Sequence, residues 1–199
     1  MRTSPQQDRV QKTIDHIVET AEKLFVDPGY ERVSTNLIAK EAGISIGSLY
    51  RYFKNKEALL EYLMKKYNPV FVEALKAEMS VSTFQELHDS FFNIMEKTFS
   101  KYPILMELVF SDVETLKMKK LDKRCVETIN HIQADKYQKI NPKLSRGKAI
   151  FIANIVHMTI HHLLVEAKKA SKNKKSFDPE IKEETKKMVL SYLKLYLDT

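Results

Sequence analysis

Apolar residues recur along this chain at intervals of three and four, the period of an amphipathic helix rather than the alternation of a strand. Val10, Ile14, Ile17, Ala21 and Leu24 make one such stripe and predict a first helix, with Ser4 as N-cap, Pro5 at the first helical position and Gln7 three residues beyond the cap. Pro28 and Gly29 in "DPGY" end it. A short helix follows at "TNLIAKEA", capped by Ser34 and stopped by Gly43, and another opens at Ser45 and runs through "IGSLYRYF". A long helix begins at "EALL" and carries Leu59, Leu60, Leu63, Tyr67, Phe71 and Leu75 on its inner side. Pro69 falls inside that pattern and predicts a kink or a break near Tyr67.

The spacing stays helical further on. Phe84, Leu87, Phe91, Ile94, Met95 and Phe99 share one face, Pro103 starts a short apolar helix, and Asp112 starts a basic one that reaches about Ile140. "NPK" punctuates at 141–143. "RGKAIFIANIVHMTIHHLLVEAKK" is apolar around most of its circumference and predicts burial on more than one side. "KKASKNKKSF" reads as a loop, after which Asp178 and Pro179 open a last helix bearing Ile181, Met188, Val189, Tyr192, Leu193 and Tyr196. The expected fold is all-α.

Composition narrows the function. The 199 residues suffice for a substantial core without disulfides, and the single Cys125 cannot form an internal bridge. "MRTSPQQDRV" is too polar for a signal peptide, so cytoplasm is the expected location. The longest apolar run is interrupted by Asn154, His157, His161 and His162, and no membrane span is expected. A formal net charge of +7 favours a polyanionic partner only modestly. The sequence has no paired nucleophile and base, no Gly-rich phosphate loop and no H-E-x-x-H motif, so neither an enzyme nor a cofactor is expected.

The two short helices around Gly43, set after a longer one, read as a helix-turn-helix. Small residues at Gly47 and Ser48 would let the second short helix approach a groove closely, and Ser45 and Ser48 carry hydroxyls that can meet phosphate. Tyr50 and Tyr52 lie on roughly opposite sides of that helix, so at least one is expected to offer its hydroxyl outward. Lys54 and Lys56 add charge to the same surface.

"GYERVSTNLIAKEAGISIGSLYRYFKNKEALL", Gly29 to Leu60, resembles the amino-terminal domain of the TetR family of transcriptional repressors. The likeness covers the glycine-aromatic turn, the pair Ser34 and Thr35, "IAKEAG", "LYRYF" and "KEALL". It implies a helix-turn-helix DNA-binding domain over 1–56 and a helical effector-binding and dimerisation domain over 57–199. It further implies phosphate or base contacts from Thr35 and Asn36, groove contacts from Ile46, Gly47 and Ser48, and backbone contacts from Tyr50, Tyr52 and Lys56. Ile46 has no hydrogen-bonding group and can only press on a thymine methyl, which shifts the expected specificity toward Asn36, Ser48 and DNA shape.

The implied partners are a double-stranded DNA operator, a small-molecule effector and a second copy of the chain. Repression is the expected sense of regulation, with activation left open. Phe91, Met95, Phe99, Met106, Phe110 and Met118 are adaptable or aromatic groups that could line an effector pocket, though they fit plain core packing as well. Ile150, Asn154, Met158, Met188, Tyr192 and Tyr196, on the last two helices, could build a four-helix interface or belong to internal core. His157 and His161, four apart, could share a metal face with His131 or Glu166, an alternative in which the chain is a helical protein-interaction or metal-binding protein that binds no DNA. Without a second matching pair, no metal site is expected.

Overall fold

A computed structural model of the chain describes residues 5–78, 83–105, 108, 116–170 and 179–197. Among these residues there are eight α-helices and no strand. Helix α1 spans Pro5–Leu24, α2 Thr35–Glu41, α3 Ile46–Tyr52 and α4 Lys56–Glu78. Helix α5 spans Phe84–Lys101, α6 Leu116–Ile140, α7 Arg146–Ala170 and α8 Pro179–Leu197.

The α1 stripe packs from Ile14 onward, with Ile17, Val18 and Ala21 buried, while Val10 remains exposed. The helix passes into a π-type turn, Phe25–Gly29, and Gly29 leaves it at φ +91°, a conformation that other residues rarely take. Phe25 and Tyr30 close this corner as an edge-to-face pair 5.1 Å apart. Helix α3 stops at Tyr52, one residue short of the expected "IGSLYRYF", because Phe53 turns extended and buries its ring.

Helix α4 runs through Pro69 without a break. The proline is on the exposed side of the helix, as is Lys65, whose carbonyl loses its partner to the ring and can be hydrated there. The opposite side, with Leu63, Met64, Tyr67, Phe71, Val72 and Leu75, is buried and holds the helix together across the proline. Helix α5 has a full capping box: Thr83 Oγ1 accepts from the Glu86 amide at 3.2 Å, and the Glu86 carboxylate accepts from the Thr83 amide at 3.2 Å. Its predicted face, Leu87, Phe91, Ile94, Met95 and Phe99, is buried, with Phe84 packed at the margin.

Helices α4, α6 and α7 pack together, and α8 closes the bundle against α5 and α7. Lys182 on α8 pairs with Glu96 on α5 at 2.6 Å, and the Asn141 amide donates to the Tyr196 carbonyl at 2.8 Å. Of the loop expected at 168–177, residues 168–170 are helical as the end of α7, and the remainder lies outside the described residues. The short helix after Pro103 and the start of the one after Asp112 lie largely outside the described residues.

The Tyr67 hydroxyl joins α4 to α1 by donating to the Glu22 carboxylate, 2.7 and 2.8 Å from its two oxygens, with Lys66 at 3.5 Å from the same group. Burial, together with the Glu22 carboxylate, raises the Tyr67 pKa, so the phenol stays protonated and keeps donating at neutral pH. Tyr67→Phe should destabilise the chain by about 1–2 kcal/mol, the worth of a hydrogen bond to a charged but part-hydrated acceptor. Urea unfolding measures this directly, and an unchanged midpoint would mean that water replaces the phenol at no cost.

Candidate nucleic-acid interface and internal cavity

The turn between α2 and α3 is a complete Schellman motif. The Gly43 amide donates to the Lys40 carbonyl at 3.1 Å, and the Ile44 amide donates to the Ala39 carbonyl at 3.0 Å. Gly43 sits at φ +63° to allow both, and Ile44 packs into the core. From α1, His16 Nε2 donates to the Ala42 carbonyl at 3.2 Å and fastens the turn to the first helix. Ser34 caps α2 by accepting from the Leu37 amide at 3.1 Å, and Ser45 caps α3 by accepting from the Ser48 amide at 3.1 Å.

With these caps in place, four of the nine sequence-predicted contact residues are exposed and five are half-buried. Asn36, Ser45, Gly47 and Tyr50 are exposed; Thr35, Ile46, Ser48, Tyr52 and Lys56 are half-buried. The Tyr50 hydroxyl lies 3.1 Å from Thr35 Oγ1, which brings the end of α3 to the start of α2. Ser45 and Ser48 hydroxyls are 2.9 Å apart. Tyr52 faces the other way: its ring packs against the core and its hydroxyl accepts from Arg51 at 3.1 Å. Arg51, beside it and exposed, was not singled out from the sequence.

Gly47 has no conformational need to be glycine. It is helical, and a Cβ built on it meets nothing nearer than Ser45 Oγ at 4.0 Å. Within the chain, therefore, a glycine here only costs helix stability, on the order of 0.5–1 kcal/mol relative to alanine in a helix interior. What the missing side chain leaves is room on the outer side of α3.

Lys56 is occupied inside the domain. Its Nζ donates to the Tyr30 carbonyl at 2.9 Å and sits 3.9 Å from the centre of the Tyr30 ring, tying the start of α4 to the corner after α1. Lys54, by contrast, is exposed.

A second feature lies in the larger part of the chain. A cavity of about 60 Å³ that opens toward solvent lies between α4, α5, α6 and α7. Of the six pocket residues expected from sequence, Phe91, Met95 and Phe99 line it. Met106 and Phe110 lie outside the described residues, as does the side chain of Met118. Sequence reading missed the contribution of α4, from which Met64, Asn68 and Phe71 enter the wall, and that of Cys125 and Ile129 on α6. Phe71 packs at 6.3 Å against Phe91 and 5.6 Å against Phe99.

His157 and His161 are in the same wall, their rings stacked 6.0 Å apart. Burial, and then repulsion from His161, pushes the His157 pKa down to about 4. Among the described residues no group of three or more His, Cys, Asp or Glu side chains is arranged to hold a metal ion. His131, the suggested third ligand, is instead on the outside with Arg146 at 3.1 Å, and the Glu166 side chain lies outside the described residues.

The last two helices carry an uncovered apolar face. Phe151 and Met158 on α7, and Met188 and Leu195 on α8, are exposed, each pair seven residues apart. Of the residues expected at an interface, Met158 and Met188 belong to this set, while Ile150, Asn154, Tyr192 and Tyr196 are half-buried beside it. Tyr192 and Tyr196 pack edge to face at 5.4 Å, and Asn154 accepts from the Asn130 amide at 3.3 Å. Phe151 and Leu195 were not anticipated; both fall on the stretches whose surplus of apolar residues was the signal. No helix among the described residues is long and apolar enough to cross a membrane.

Comparison with known proteins places the first of these features. Residues 17–63 match the family described as bacterial regulatory proteins, tetR family. The chain is 45% identical over 60 residues to an HTH-type transcriptional regulator of Staphylococcus aureus strain USA300, a stretch covering 30% of this chain and 32% of that protein. The match thus spans about a third of the length of the curated relatives it matches. Among solved structures, the fatty acid degradation regulator FadR from Bacillus halodurans is similar with a TM-score of 0.65 at 17% identity, over 96% of this chain and 97% of that one. FadR from Bacillus subtilis in complex with stearoyl-CoA is similar with a TM-score of 0.63 at 19% identity, over 92% of this chain and 97% of that one. At these identities the likeness is one of fold.

Proposed function

We propose, from the premise that residues 17–63 form a helix-turn-helix domain of the tetR family of bacterial regulatory proteins, that this chain is a dimeric transcriptional repressor released from a near-palindromic operator by a small-molecule effector. The observation that carries the proposal is Gly47: a helix position kept bare of side chain with open space around it, between the exposed N-cap Ser45 and the exposed Tyr50. In this reading residues 1–56 are the DNA-binding domain and 57–199 the effector-binding and dimerisation domain. Thr35, Asn36, Ser45, Ile46, Gly47, Ser48 and Tyr50 meet the groove and its phosphates. The relatives named above are regulators, and the chain is taken as one rather than as an enzyme; a regulator of this kind works beside the chromosome, in the cytoplasm.

Two heads joined through α7 and α8 would engage two half-sites, so their separation decides affinity. An effector in the cavity touches α4 directly, and α4 holds the head through Tyr67 and Lys56. Its influence equals its preference for the arrangement in which the heads are misaligned; a shift from 1% to 99% of that state needs roughly a 10⁴-fold preference.

The test is a mobility shift of the whole chain on DNA tiled from its own promoter region, with competitor DNA and a salt series. A discrete complex on one near-palindromic fragment supports the proposal; no complex at low salt with a folded dimer overturns it. Lys54→Ala should flatten the slope of log affinity against log salt by about one per head, the loss of one phosphate contact, with thermal melting unchanged. Lys56→Ala should also lower the melting temperature, because the Tyr30 carbonyl loses its donor.

A further inference from the structure

Resting on the assignment of the cavity as the effector site, we propose that it takes an uncharged, ring-bearing molecule with one hydrogen-bonding group, seated with that group at His157. Three phenyl rings, Phe71, Phe91 and Phe99, meet in the wall at interplanar angles of 70° and 42°, so a flat guest finds both ring faces and ring edges. Met95 adapts to its outline. Among the described lining residues there is no Lys, Arg, Asp or Glu; the polar groups are Asn68, Cys125, His157 and His161. A formal charge entering this wall gives up its hydration and meets no opposite charge.

His157 sharpens the selection. At neutral pH its ring is uncharged and presents one N–H donor and one acceptor nitrogen, which suit a hydroxyl or a carbonyl. To serve as counter-ion to a carboxylate it must first gain a proton, against an unfavourable factor of about a thousand at pH 7 for a group titrating near pH 4. The repulsion from His161, stacked on it, is already part of that factor. A fixed cation gains contact with the phenyl faces but has no carboxylate among those residues.

The test uses the full chain and the fluorescence of N-phenyl-1-naphthylamine, an uncharged probe, with competition by three matched molecules: 2-naphthol, 2-naphthoate and 2-naphthyltrimethylammonium. The probe should brighten at one site per chain, and 2-naphthol should displace it with a Kd at least about tenfold below that of either ion. Either ion competing as well as 2-naphthol overturns the proposed ligand class while leaving the cavity as an effector site. Failure of every molecule to bind overturns both.

Two variants separate the cavity from the exposed apolar face. Met95→Trp fills the cavity and should abolish probe binding; persistence would place the probe on the surface and overturn the inference. His157→Phe keeps the ring and removes its polar atoms, so probe binding should survive while 2-naphthol falls to the affinity of naphthalene. An undiminished advantage of 2-naphthol over naphthalene in that variant would overturn the role given to His157.

Discussion

Gly47→Val is expected to leave the helix-turn-helix folded and to lower operator affinity by between roughly thirtyfold and 10⁴-fold. The fold survives because the added Cβ has open space around it and the backbone is ordinary helix. Binding fails because the branched side chain stands where α3 would meet the edge of a groove, displacing the contacts on either side of it. A lost or displaced contact costs about 1–3 kcal/mol, and a twofold dimer loses it twice, about 2–6 kcal/mol in all. Gly47→Ala in the same assay should fall between the two, with slightly raised thermal stability. If the valine variant bound its operator with the affinity of the parent, α3 would not be the element that enters DNA.

Leu195→Glu should give a folded monomer. Leu195 is 72% exposed in the single chain, so its replacement breaks no internal packing. Across a twofold axis through α7 and α8, however, each dimer loses two leucines and must bury two carboxylates. Burial of a leucine is worth about 1.5–3 kcal/mol, so the two together account for about 3–6 kcal/mol, before the carboxylates are counted. Dimer dissociation should rise by at least roughly 10²-fold to 10⁴-fold. Sedimentation velocity reads this, with circular dichroism to show that the helices remain. Operator binding should fall with it, since one head retains one half-site. A variant that stayed dimeric at micromolar concentration would move the interface off this face.

How much of this was legible beforehand varied with the kind of information each feature needs. The caps Ser34 and Ser45 and the stop at Gly43 are local chemistry, settled within a few residues, and the structure has them as the sequence implies. The buried face of α5 follows from helical period alone. Pro69 was misjudged in part, because a proline rule takes no account of which side of the helix it faces. The cavity was legible only in its α5 wall: most of the residues that complete it come from α4, α6 and α7, and no spacing within one helix tells which side chains converge from four. The histidines show the same limit, since their four-residue spacing is equally a metal face and a cavity wall until their neighbours are known. Phe151 and Leu195 could not be separated from core residues, because only the packed bundle tells which apolar side chains have run out of partners.

The bond between Tyr67 and Glu22, with Lys56 against Tyr30, bears on modular engineering of such proteins. The buried apolar side chains of the helix-turn-helix belong to one continuous core with Leu59, Leu60 and Leu63 of α4, which α1 packs against. A head transplanted onto another sensor at residue 56 would arrive without its own floor and would have to accept whatever the recipient's connecting helix supplies. A splice placed beyond Tyr67 carries floor, latch and head as one cassette, with the junction at Pro69, an exposed position between the cavity-lining Asn68 and Phe71.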